Sequence, residues 1–132
     1  MSKRKTLVAV FGLIIIGMLF FPGVIRGKYV VPIVMYHSVS PGASRQTMLA
    51  VKPETFERQM RFLRDNRYNV ITLEELAALI KDKKKIPPRT IIITLDDGDS
   101  DNYTFAFPVL KKYGLCATIF IIVDEIGRPQ GD

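Results

Sequence analysis

A chain of 132 residues, 48% of them hydrophobic, is the size of one small domain and apolar enough to build a core. Its net charge of +6 does not mark a nucleic-acid partner, because the basic residues gather in the N-terminal flank (Lys3, Arg4, Lys5, Arg26, Lys28) and in KDKKK, Lys81 to Lys85, without interleaved aromatics. The single cysteine, Cys116, excludes an internal disulfide and, lying in the apolar GLCATIFII, reads as a small buried hydrophobe rather than a reactive thiol.

From Thr6 to Ile25 the chain carries no charge, and Lys3, Arg4 and Lys5 stand directly before that run. Twenty apolar residues of helix span roughly 30 Å, the thickness of a bilayer's hydrocarbon layer. A cleavable signal has a shorter apolar region and a small-residue site after it, whereas this run ends in FFPGVIRGKY. Residues 1–28 are therefore read as a transmembrane anchor, with a cleaved signal or a buried core helix as the alternatives. The basic start keeps the N-terminus in the cytoplasm, so residues 29–132 are expected outside it, membrane-anchored or, after signal cleavage, secreted.

Tyr29 to Val39, YVVPIVMYHSV, is a β-rich apolar run closed by the turn signal SPGAS, and reads as a first buried strand. PETFERQMRFLRDNRY follows, with Phe56, Met60 and Leu63 at helical spacing and Pro53 suited to a first turn. NVI is a short strand. Thr72 and Glu75 make a T-x-x-E capping box that opens a helix running to about Asp82. After the linker that ends at Pro87 and Pro88 come the strand TIIITL, a helix around DNYTFAFPVLKKYG ending at Gly114, and the strand LCATIFII. Apolar strands alternating with helices predict an α/β fold with a parallel sheet covered on both faces. In such folds the chemistry sits where strand carboxyl ends lead into helices, the position of YHSV and of LDDGDSDNY.

That second segment packs Asp96, Asp97, Asp99 and Asp101 into six residues. Helix capping accounts for part of it: Asp99, Ser100 or Asp101 can accept from the first free N–H groups of the next helix, and Asp101 is assigned that role. It does not account for Asp96 and Asp97, an adjacent pair that repels unless one carboxylate binds a cation or shares a proton. An EF-hand beginning at Asp97 needs Gly at its sixth position and Glu at its twelfth, where this chain has Asn102 and Pro108. A phosphatase of the haloacid dehalogenase type could use Asp97 and Asp99 as its D-x-D, a short and weak match.

TLDDGDSDNY resembles the T-F-D-D-G-(Y)-x-D-N-(Y) signature of the polysaccharide deacetylases, carbohydrate esterase family 4. PIVMYHSV, TFERQMRFLRDNRYNVITLEEL, PPRTIIITLDDG and PVLKKYGLCATIFII agree in order, so the resemblance runs from about Val31 to Val123. It implies the N-terminal part of a distorted (β/α) barrel and the removal of N- or O-acetyl groups from polysaccharides such as chitin, peptidoglycan and poly-N-acetylglucosamine. Carried over, Asp96 is the general base, Asp97 the carboxylate ligand of a divalent metal, commonly zinc, and His37 the general acid or a site-lining residue of the branch that opens with M-Y-H. Metal and base divide the labour: one acidifies water and polarises the carbonyl, the other takes the proton. Leu95 stands where the signature has Phe, and Asp99 where it usually has an aromatic.

The family completes its metal site with a downstream H-x-x-x-H pair, which these 132 residues do not contain; His37 is their only histidine. A catalytic zinc ordinarily takes three protein ligands. The expectation is therefore an incomplete deacetylase domain, inactive in isolation, with an inactive or glycan-binding remnant of the same fold as the alternative.

Overall fold

The computed structural model describes residues 30–44 and 48–127; the anchor expected at residues 1–28 lies outside the described residues. Among the described residues no helix is long and apolar enough to cross a membrane.

The organising strand is β5, Thr90–Leu95, every residue of which is buried. On one edge it pairs in parallel with β1, Ile33–Tyr36, in register Ile33↔Ile92 to Tyr36↔Leu95. Its other edge is shared end to end by two short strands, also parallel. β4, Asn69–Ile71, pairs with Thr90 to Ile92, and β6, Thr118–Ile119, pairs with Thr94 and Leu95. A parallel α/β sheet is thus as expected, but the described strands form an open sheet and no closed barrel.

Alternation along the strands assigns the faces. Tyr36, Ile91, Ile93 and Leu95 point towards α1, Pro53–Asp65, whose Phe56, Met60 and Leu63 join them in the core. Ala106 and Leu110, from the helical segment after the acidic stretch, complete the same cluster. Pro53 sits in the first turn of α1, where its missing N–H removes nothing. α2, Leu73–Lys81, opens with the full reciprocal capping box, Thr72 Oγ1 accepting from Glu75 N–H and Glu75 from Thr72 N–H. Expected coverage of both faces is corrected: α1 and the last helix share one face, and on the other Ile33 and Met35 remain more than half exposed. In register, Ile92 lies between Ile33 and Ile71 on that second face and is fully buried there.

Two of the expected strands are shorter than their apolar runs. The first apolar run does not form a single strand over its described residues, 30–39, because the chain bends at His37 and resumes as β2, Ser38–Val39. β2 leaves the main sheet and pairs in parallel with β3, Ala50–Val51. LCATIFII contributes only Thr118 and Ile119, since β4 occupies this edge of β5 as far as Ile92 and pairing resumes only at Thr94 and Leu95. Cys116 is half-buried, its Sγ lies 3.4 Å from the Val70 carbonyl oxygen, and burial raises its pKa, which keeps it a thiol.

The last helical segment starts at Ser100, passes through a π-helical turn at Asn102–Ala106 and continues as α3, Phe107–Tyr113. Pro108 has no N–H and its ring would crowd the carbonyl four residues back in a regular helix. The wider turn accommodates it, with Phe107 N–H reaching back to Asn102 O. Gly114 ends α3 in the left-handed conformation, φ 63°.

Candidate active site

The carboxyl ends of β1 and β5 bring together the two segments singled out in the sequence. Asp96 N–H donates to Tyr36 O at 2.8 Å, continuing the β1–β5 ladder one residue past the strand and placing Asp96 beside the bend that carries His37. Both residues are half-buried. Tyr36 below them is held by its ring edge against Phe56, centroids 4.9 Å apart, and by its hydroxyl donating to Gln59 Oε1 at 2.9 Å.

The adjacent aspartates part company at this point. Asp96 stays bonded to Tyr36 through its N–H, and its Oδ1 is buried with no hydrogen-bond partner among the described residues. Asp97 is exposed and left-handed, φ 70°, followed by Gly98 at φ 76°. Two successive left-handed residues turn the chain sharply out of the sheet. For Asp97 that conformation is uncommon, and such strain collects at functional sites.

The capping role expected of Asp101 is not realised. Asp101 already has helical dihedrals, φ −67° and ψ −27°, whereas a capping residue is extended, and its side chain makes no capping bond. Instead its Oδ2 accepts from Ser38 Oγ at 2.5 Å, across 63 residues of sequence. Asp101 Oδ1 and both polar atoms of the Asn102 side chain are buried without partners among the described residues. Asn102 is only 4% exposed. The end of β5 thus concentrates four buried polar atoms, from Asp96, Asp101 and Asn102, awaiting partners. Neither Ser38 nor Asn102 was singled out by sequence reasoning, although both lie inside the segments YHSV and DNY that carried the resemblance.

Unpartnered carboxylate oxygens at Asp96 and Asp101 suit a cation, but a metal centre needs more than two donors. Among the described residues no group of three His, Cys, Asp or Glu side chains is placed to hold a metal ion. The zinc site expected around Asp97 is therefore not formed by these residues alone.

A family model for polysaccharide deacetylase matches residues 83–131. The Bacillus subtilis (strain 168) protein YxkH is 46% identical over 97 residues, covering 74% of this chain and 33% of its own length. The poly-beta-1,6-N-acetyl-D-glucosamine N-deacetylase of Staphylococcus epidermidis is 35% identical over 96 residues, 73% of this chain and 33% of that protein. This chain accordingly spans about a third of the length of these curated relatives. Among solved structures, Streptococcus pyogenes deacetylase PplD in complex with acetate superposes with TM-score 0.65 at 30% identity, covering 74% of this chain and 46% of that one. IcaB from Ammonifex degensii gives TM-score 0.65 at 32% identity, over 74% of this chain and 40% of its own. Sequence signature, strand-end geometry and both kinds of similarity agree: over the span that it covers, this chain is similar in sequence and fold to the polysaccharide deacetylases.

Proposed function

We propose that these residues form one side of the active site of a hydrolase that removes acetyl groups from an N-acetylated polysaccharide of the cell wall or extracellular matrix. The observation that carries this reading is Asp96: a carboxylate at the end of a fully buried strand, its Oδ1 buried without a partner among the described residues, beside the bend that bears His37. Such an oxygen is placed to take a proton from water. As the water oxygen bonds to the acetyl carbonyl carbon, its proton passes to Asp96. The carbon–nitrogen bond then breaks, the departing amine takes a proton from His37, and acetate and a free amino sugar result. Asp97, exposed on the left-handed turn, is read as a ligand of the divalent cation that the family resemblance implies. Because the described residues do not complete that centre, the remaining ligands would come from an H-x-x-x-H pair outside these 132 residues. The apolar run from Thr6 to Ile25 is read as the anchor that keeps the domain outside the cytoplasm.

The test compares two proteins on poly-β-1,6-N-acetylglucosamine and on chitooligosaccharide: the chain itself, and the chain fused to the C-terminal part of the Staphylococcus epidermidis relative. The chain alone is expected to release no acetate. The fusion is expected to release it, to stop with chelator, and to lose about 100-fold or more in rate on Asp96→Asn. A folded fusion that releases no acetate, or one indifferent to Asp96→Asn, would overturn the assignment.

A further inference from the structure

We infer that Ser38 is a positioning residue, whose bond to Asp101 clamps the His37 bend to the acidic end of β5; the inference rests on the reading above for what His37 does. His37 is bracketed by two links to the same segment. The residue before it, Tyr36, accepts from Asp96 N–H at 2.8 Å through its carbonyl oxygen. The residue after it, Ser38, donates its hydroxyl to Asp101 Oδ2 at 2.5 Å. The far side of Ser38 is fixed as well, since its N–H donates to Leu49 O at 3.4 Å and Ser38 pairs with Ala50 between β2 and β3. The chain on both sides of His37 is thereby tied to the segment that carries Asp96, and the direction in which the imidazole leaves the backbone is set by both ties.

The link from Ser38 is the vulnerable one. It is a single hydroxyl bond to a carboxylate, a charge-assisted bond stronger than a neutral one. The other oxygen of that carboxylate is buried without a partner among the described residues, so no second donor identified there takes over when Ser38 is removed. Loss of the hydroxyl leaves His37 held from the Tyr36 side only. Misplacement of a catalytic group by about 1 Å can lower a rate about 100-fold without weakening binding.

His37 is the only histidine, so the Cε1–H group of its imidazole gives one resonance that needs no assignment. The full chain, labelled with 13C at histidine Cε1 only and held in detergent micelles, is expected to show one sharp imidazole cross-peak. Ser38→Ala should move or split that peak by more than its width, and Ser38→Thr, which retains the hydroxyl, should restore it. Asp101→Ala should reproduce the Ser38→Ala peak, and the double variant should add nothing further. A peak unchanged in position and width in folded Ser38→Ala overturns the inference. Should Ser38→Ala unfold, as judged by near-UV circular dichroism, Asp101→Asn decides instead: a smaller but resolved displacement supports the clamp, and an unmoved peak overturns it. No substrate enters this experiment, so a failed acetate assay leaves the clamp standing, and an unmoved peak leaves the deacetylase reading standing.

Discussion

Replacing Asn102 by leucine is expected to make the protein more stable. Both polar atoms of the Asn102 side chain are buried without partners among the described residues, and the residue is 4% exposed. An unsatisfied buried polar atom costs about 1–3 kcal/mol. Leucine has the same branching, and the position borders an apolar groove of about 720 Å³ lined by Leu95, Leu110, Leu115, Ala117 and Ile121, so there is room for it. The backbone bond from Asn102 N–H to Asp99 O, 3.0 Å, does not involve the side chain and survives the change. Taking the lower figure for each atom gives a gain of about 2 kcal/mol. In a unit of about 100 residues that corresponds to a rise in Tm of roughly 10 °C. Thermal unfolding of the full chain in mild detergent, followed by near-UV circular dichroism, measures it. In the acetate-releasing fusion the same variant should be slower, as expected where a polar group is kept at a site against its stability cost. A fall in Tm for Asn102→Leu would refute the reasoning, because it would mean that the amide is hydrogen-bonded in solution.

Phe56→Ala should be far more damaging, lowering stability by about 3–5 kcal/mol, since it empties a fully buried position and removes the ring contact with Tyr36; loss of less than about 1 kcal/mol in the same melt would show that α1 does not pack as described. Thr72→Ala removes the acceptor for Glu75 N–H and is expected to reduce stability by about 1 kcal/mol, with faster amide exchange confined to the first turn of α2. Burial raises the Tyr36 hydroxyl above the usual tyrosine pKa. A group raised on folding contributes stability that is fully present below its unfolded pKa, about 10, and is lost as pH rises through the folded value. Unfolding monitored from pH 8 to 12 should thus show stability falling above about pH 10, with a smaller fall in Tyr36→Phe; identical alkaline profiles for the two proteins would contradict the burial of this hydroxyl.

Wherever a structural feature depends on local periodicity or on one residue's geometry, this chain's sequence displays it. Phe56, Met60 and Leu63 lie one helical turn apart, and all three are buried. Thr72 and Glu75 are three residues apart and cap α2 reciprocally, while Gly114 supplies the left-handed end of α3. TIIITL is a continuous apolar run because β5 has neighbours on both edges and core on its face. The candidate base and its neighbour were also legible, since D-D-G at a strand end is a short-range pattern.

What escaped notice depended on partners distant in sequence. Nothing in YVVPIVMYHSV marks a break at His37, because the break exists to let Ser38 and Val39 pair with Ala50 and Val51. LCATIFII is apolar enough for a full strand, yet β4 already occupies the first half of the edge of β5, and only Thr94 and Leu95 beyond it pair with β6. Asp101 is a good capping residue by type and position. Only the fold reveals that the helix begins one residue earlier, at Ser100, and that a hydroxyl 63 positions away claims the carboxylate.

The sequence by itself determined the helices, the Thr72 cap and the Gly114 end, the central strand and the family signature with Asp96, Asp97 and His37, because these rest on spacing within a few residues. Only the tertiary structure decided which carboxylate is buried and which exposed, how the two links flank His37, and that the Asn102 side chain lies at the strand end without a partner among the described residues. Burial and long-range hydrogen bonds are properties of chain segments brought together, and no local pattern encodes which segments meet.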